Sequence, residues 1–273
     1  VLRVVRAAVR VIHPAPALAV TALSGALALI LAREAGPVNQ AAVALTTAAV
    51  AGSQVFTGAT NDLADQARDA SLRVDKPLAT GELSASAALW IAAAGLALQL
   101  AASGRLGTTT IVLGLAAAAS ALSYNLWLSR TPLSVVPYLV SFGLLPLWVA
   151  SGVDVPLERV APAVVLVGPF AAAAHLANTA RDFEADAAVG SRCLAQVLGR
   201  ATAHRVALGL ALGVGVVAGI GLALGPGLEP VSLGLGVLGL LAVLRGARNE
   251  DRLWQGMLAA AVLWTVAWAL GSA

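Results

Sequence analysis

Two short segments of the sequence carry residue types that could do chemistry. Asn61-Asp62-Leu63-Ala64-Asp65-Gln66-Ala67-Arg68-Asp69 closes one long apolar run, and Asn178-Thr179-Ala180-Arg181-Asp182-Phe183-Glu184-Ala185-Asp186 closes another. Both contain Asn-x3-Asp-x3-Asp. On a helix, residues four apart drift by only about 40°, so Asn, Asp and Asp predict one stripe on one face. Asp62, Asp65 and Asp69 share such a face in the first copy. Carboxylates at the ends of membrane helices repel one another, and each costs about 2.5–3.5 kcal/mol on insertion scales if it sits deep. Something cationic has to offset that. Mg²⁺ is held by one or two carboxylates with waters and substrate phosphates, and Arg68, Arg73, Lys76, Arg130, Arg181 and Arg192 supply fixed positive charge suited to phosphate oxygens. The pattern therefore predicts two facing carboxylate stripes, divalent metal between them, and a diphosphate bridging the metals. A single DxxxD at a helix end is ordinarily a solvated cluster beside the helix dipole. Two copies with Asn in register favour chemistry.

The elements that must position these stripes are membrane helices. Only 11% of the 273 residues are charged and 59% are hydrophobic, against roughly 25% charged in an ordinary soluble domain. Disorder is excluded by the abundance of apolar residues, and a disulfide scaffold by the single cysteine, Cys193. The net charge of +3 comes with no basic stripe interleaved with aromatics, which sets nucleic acid aside, and no protein partner is indicated. Nine runs are uncharged: 15–32, 38–60, 83–104, 106–129, 131–153, 160–180, 206–228, 230–244 and 253–273. A helix needs about 20 apolar residues to cross the hydrocarbon, and the run 230–244 is the short one. The first run is longer than a signal-peptide core and further spans follow it, so a signal peptide is rejected. With the N-terminus inside, fourteen of the seventeen Lys and Arg fall on inner segments, which the positive-inside rule favours. The expectation is an all-α polytopic membrane protein, one domain over 1–273. Its N-terminus is cytoplasmic and its chemistry lies in the long polar stretches 61–82 and 181–205 on that side, capping the helices.

These residues resemble the UbiA superfamily of intramembrane prenyltransferases. Asn61-Asp62-x2-Asp65-x3-Asp69-x3-Arg73-x2-Lys76-Pro77-Leu78-x2-Gly81 is similar to that family's NDxxDxxxD motif and the basic loop after it. Asp182-x-Glu184-x-Asp186-x3-Gly190-x2-Cys193-Leu194 is similar to its second Asp-rich motif, and Tyr124 with Arg130 stands where the family has a Tyr followed by a basic residue. The resemblance covers essentially the whole chain. It implies nine transmembrane helices around a central, lipid-accessible cavity with a cytoplasmic cap. It also implies Mg²⁺-dependent ionisation of an isoprenyl diphosphate and capture of the allylic cation by a lipophilic acceptor, commonly an aromatic ring or quinone precursor. Asp65, Asp69, Asp182 and Asp186 would be catalytic, holding metal together with Asn61, Asp62 and Asn178. Arg73, Lys76, Tyr124 and Arg130 would hold the diphosphate, assisted by Arg68 and Arg181.

The sequence departs from the family in places. Members acting on 4-hydroxybenzoate carry an RxDRP-like start to the first helix, where this chain has Arg10-Val-Ile-His13-Pro14. Cys193 replaces a common Thr and reads as a packing residue. His175, one turn before Asn178, could accept a proton from the cationic intermediate, but reads better as a helix–helix contact; His13 and His204 read as interfacial or solvated. Trp127, Trp148 and Trp254 fall near span ends, as an interfacial belt would have them. Three other functions compete. A UbiA-type terpene cyclase, or a transferase to a non-aromatic lipid or sugar-phosphate alcohol, keeps the fold and changes the capture step. A CDP-alcohol phosphotransferase requires D-x2-D-G-x2-A-R, which Gln66 breaks. A transporter would place its acidic residues near mid-bilayer rather than beside arginines at helix ends.

Overall fold

A computed structural model describes residues 2–72, 74–224 and 230–271. Helix takes up 83% of the described residues, and no strand occurs among them. In chain order the helices are α1 (Leu2–Arg10), α2 (Pro14–Ala35), α3 (Gln40–Ser71), α4 (Ala85–Gly104), α5 (Thr108–Leu126), α6 (Val136–Gly152), α7 (Ala161–Arg181), α8 (Phe183–Ala188), α9 (Leu194–Leu198), α10 (Arg200–Leu224), α11 (Pro230–Leu244) and α12 (Glu250–Gly271). Seven of these, α2, α3, α4, α5, α7, α10 and α12, are long and apolar enough to cross a membrane; α6 and α11 are apolar but shorter. Each of the nine uncharged runs therefore holds one helix, and seven meet the length required of a span.

The helices group into two compact units. Residues 1–127 with 145–159 form the first, and residues 128–144 with 160–273 form the second. α6 is divided between them, between Leu144 and Leu145.

In the first unit α3 and α4 make the tightest pair, and two glycines are the reason. A Cβ on Gly52 would stand 2.6 Å from the Gly95 carbonyl, and one on Gly95 would stand 2.7 Å from the Gly52 carbonyl. With neither side chain present, the backbones meet directly, as small residues allow in membrane helices. Asn39 caps α3 by accepting from the Ala42 N–H (3.1 Å), and Ser84 caps α4 by accepting from Ala87 (3.2 Å). Trp148 departs from the interfacial expectation. It is buried with Ala49, Val50 and Ala102, its ring lying against Gly114, where the missing side chain leaves room for an indole.

The second unit packs α7 against α10 and α12 around small residues, including Ala173, Ala177, Ala180, Ala203, Ala207 and Ala260. Cys193 lies in this cluster, 1% exposed, as a packing residue should. Gly168 admits the Leu139 carbonyl, 2.6 Å from where its Cβ would be. Two turns further along α7, His175 stacks on Tyr138 with ring centroids 4.2 Å apart. That agrees with a helix–helix contact. Trp264 donates to the Gly236 carbonyl (3.0 Å) and meets Phe170 edge to face, so it packs inside the unit.

Candidate active site

The first acidic segment lies on the last turns of α3, which continues well past its apolar run to Ser71. Its three aspartates do form one face, and that face is inside. The side chains of Asp62, Asp65 and Asp69 are 1%, 10% and 5% exposed. Burial of three like charges demands cations, and the structure supplies them locally. The Lys76 ammonium lies 3.0 Å from Asp62 Oδ1 and 2.8 Å from Asp69 Oδ2; Arg68 lies 3.0 Å from Asp65 and 3.7 Å from Asp69. Burial works against the Lys76 ammonium, but hydrogen bonds and charge from Asp69 and Asp62 outweigh it and hold the pKa above the ordinary lysine value. Lys76 and Arg68, expected at the diphosphate, thus serve here as counterions to the carboxylates.

Two supports of this face escape a reading of the sequence. His13 Nε2 donates to Asp62 Oδ1 (2.9 Å), where an interfacial or solvated histidine was expected. The contact depends on Gly58, one turn before Asp62: a Cβ there would stand 2.7 Å from the Ile12 carbonyl. The bare helix surface lets the α1–α2 junction touch α3. His13 also holds a left-handed backbone (φ 52°) immediately before Pro14, a conformation that a non-glycine residue adopts only when its surroundings hold it there. The second support is Asn125 on α5. Its amide accepts from Asn61 Nδ2 (3.3 Å) and donates to Thr60 Oγ1 (2.8 Å) and the Thr57 carbonyl (3.0 Å). Arg10 ties α1 to the loop after α3 through Asp75 (3.1 Å) and Glu82 (3.4 Å).

The second acidic segment, in the other unit, is built differently. An unbroken helical stripe is expected, but α7 ends at Arg181 and α8 starts at Phe183, with Asp182 at the junction. The spacing survives because the Asp186 N–H still bonds the Asp182 carbonyl (3.0 Å). Asn178 Nδ2 donates to Asp182 Oδ2 (3.3 Å), so these two predicted residues do meet. The Asp182 side chain is 46% exposed, far more than its counterparts on α3. Arg181 bonds Asp182 (3.3 Å), lies 3.9 Å from Asp251 and stacks over Trp254. Asp186 receives the Ser191 N–H on its carbonyl (3.0 Å) and has the Cys193 thiol 3.9 Å from its carboxylate. The turn that makes this possible runs through Gly190, whose φ of 68° lies in the left-handed region that glycine enters freely. Arg130 and Arg192 come together through backbone, the Arg192 N–H donating to the Arg130 carbonyl (3.2 Å). Tyr124 is half-buried on α5 in the first unit. Arg73 lies outside the described residues.

Does the chain's own chemistry fit Mg²⁺? Among the described residues no three His, Cys, Asp or Glu side chains gather as an all-protein metal cage requires. Mg²⁺ does not require one, since it keeps waters and takes substrate phosphates beside one or two carboxylates. Asp62 Oδ2 is buried without a hydrogen-bond partner, an acceptor that an apolar surrounding does not tolerate unmatched. Three carboxylates against Lys76 and Arg68 leave one negative charge over when His13 is neutral. The donor set fits a hard cation that arrives with its phosphates.

The fold has known counterparts. A structure of a UbiA homologue from Aeropyrum pernix superposes with a TM-score of 0.75 at 21% identity, covering 93% of this chain and 96% of that one. A digeranylgeranylglyceryl phosphate synthase gives 0.76 at 13% identity, covering 98% of each chain. A UbiA homologue from Archaeoglobus fulgidus bound to GPP and Mg²⁺ gives 0.71 at 18%, covering 97% of this chain and 99% of that one. No curated protein matches the sequence. The model of the UbiA prenyltransferase family matches residues 18–266, which include both acidic segments and the Tyr124–Arg130 stretch. The chain therefore belongs to the UbiA prenyltransferase family.

Proposed function

We propose that this prenyltransferase ionises an isoprenyl diphosphate with the help of Mg²⁺ and delivers the prenyl group, inside the membrane, to a lipophilic acceptor such as an aromatic or quinone precursor. The single observation that carries the reading is the buried carboxylate face of α3, with Asp62 Oδ2 lacking a partner. Asn61, Asp62, Asp65 and Asp69 from one segment and Asn178, Asp182 and Asp186 from the other would hold the metal. When bound, Mg²⁺ would neutralise charge growing on the departing diphosphate. The remaining work falls to the chain itself. Asn125 holds the Asn61 amide, and His13 and Lys76 hold Asp62 at one oxygen, which leaves the other for a ligand. Arg73, Tyr124 and Arg130 would grip phosphate oxygens, with Arg181 beside them; a guanidinium can do so through two oxygens at once. Arg68 and Lys76 would shift from carboxylate to phosphate as metal takes over their charge-balancing role. Apolar walls would keep water from the allylic cation. The N-terminus and both acidic segments would face the cytoplasm, as the bias of Lys and Arg supports.

A second reading, transfer to a non-aromatic lipid alcohol, draws on the likeness to digeranylgeranylglyceryl phosphate synthase and on the missing RxDRP-like start at Arg10–Pro14. The test is incubation of membranes with C10, C15 and C20 diphosphates against a panel of phenols, quinone precursors and polyols, read by mass spectrometry. A prenylated phenol or quinone precursor is the expected product. A prenylated polyol would establish the second reading, and a cyclised hydrocarbon formed without acceptor would replace both.

A further inference from the structure

We propose that the start of α10 and the α11–α12 connection form a binding site for the phosphate group of an anionic membrane lipid. The site lies wholly in the second unit and is independent of the prenyl-transfer reading. A cavity of about 420 Å³ opens there, lined by His204, Arg205, Ala247, Arg248, Asn249 and Glu250 among others; pockets for small ligands run from about 300 to 1,000 Å³. Its charge is unbalanced. Glu250 is the acidic group on the wall, and Arg200 already holds it in a two-point pair (3.0 and 3.1 Å). The nearby Asp251 lies 3.9 Å from Arg181. Among the described residues Arg205 bonds the Ala201 carbonyl (3.3 Å) and the Thr202 hydroxyl (3.4 Å), both neutral, and neither it nor Arg248 has a carboxylate within ion-pair distance. His204 is 9% exposed. Its Nε2 donates to the Ala247 carbonyl (3.1 Å), while its Nδ1 is buried without a partner. Two guanidinium groups without a carboxylate partner among the described residues are complementary to the phosphate of an anionic lipid.

The surroundings argue for a lipid rather than a free anion. The cavity sits at the ends of three apolar helices, the depth at which head groups lie. Val206 and Leu210 continue from it along α10, and Leu244 and Leu241 along α11, all with exposed side chains that an acyl chain could cover. Basic pockets between membrane helices bind anionic head groups in this way.

The test uses the full-length protein in detergent, offered equal amounts of phosphatidylglycerol and phosphatidylcholine, with retained lipid counted by native mass spectrometry. The wild type should retain phosphatidylglycerol over phosphatidylcholine. Arg205→Gln/Arg248→Gln should lower that retention roughly thirtyfold. Arg245→Gln removes the same kind of charge from the same loop without lining the cavity, and should leave retention unchanged, as should added inorganic phosphate. If the double variant does not fold, Arg205→Glu alone repeats the test on an exposed side chain. Undiminished retention in the cavity variants, an equal loss in Arg245→Gln, or displacement by inorganic phosphate would each overturn the proposal.

Discussion

Lys76 holds two buried carboxylates with one ammonium, which makes it the residue whose loss should be felt most widely. Lys76→Met leaves Asp62 and Asp69 short of a cation, and breaking a buried pair from one side costs about 3 kcal/mol or more. The expected result is a lower melting temperature in detergent together with lost prenyl transfer. Adding Asp69→Asn should restore much of the melting temperature and none of the activity, a non-additivity that a double-mutant cycle reads directly. Linkage gives the same pair a sign. A lysine whose folded pKa is raised contributes stability that is full below the ordinary lysine value and is lost as pH climbs through the raised one. Lys76 therefore stays charged throughout the neutral range. His13→Ala should cost about 1.5–3 kcal/mol of stability by removing a hydrogen bond to an ionised group, while His13→Gln keeps a donor and should recover part of it. Neither His13 nor Asn125 was legible in the sequence as a partner of the acidic face. Each lies 49 or more residues from the side chain it supports, and only the path of the helices brings them together. The aspartates themselves were legible, because spacing on a single helix needs no tertiary knowledge.

At the scale of elements, the α3–α4 pair should be the least tolerant of added volume. Gly95→Leu forces a side chain into backbone already 2.7 Å away, and overpacking of this kind costs about 1–3 kcal/mol or more. Gly104 is the matched control: a Cβ added there would meet nothing within 4 Å, and Gly104→Ala should be neutral. Thermal unfolding of both variants checks the difference. The helices themselves could be read from uncharged runs, since no other structure satisfies backbone groups in hydrocarbon except a closed barrel. Two features could not. α3 runs on through polar residues to Ser71 because ion pairs on its own last turns replace the apolar environment. The second segment breaks at Asp182, where the half-exposed carboxylate pairs with Arg181 beside it and with Asn178 one turn back. Trp148 was misplaced by a rule about span ends that ignores a partner such as Gly114.

For the whole molecule, the uneven division of Lys and Arg predicts which loops share a side of the membrane. In a Cys193→Ala background, Arg105→Cys should react with an impermeant thiol reagent from outside sealed cells, whereas Arg248→Cys should react only after permeabilisation. The reverse pattern would invert the proposed topology. Family membership establishes prenyl transfer; that both acidic segments serve one diphosphate is the proposal to be tested. Titration calorimetry of geranyl diphosphate into the purified protein tests this most directly. Binding should be tight, should require Mg²⁺, and should be lost in Asp65→Ala and in Asp182→Ala alike, with both variants still folded and membrane-inserted. Wild-type affinity in either variant at saturating Mg²⁺, or affinity that does not change when Mg²⁺ is removed, would contradict the proposal.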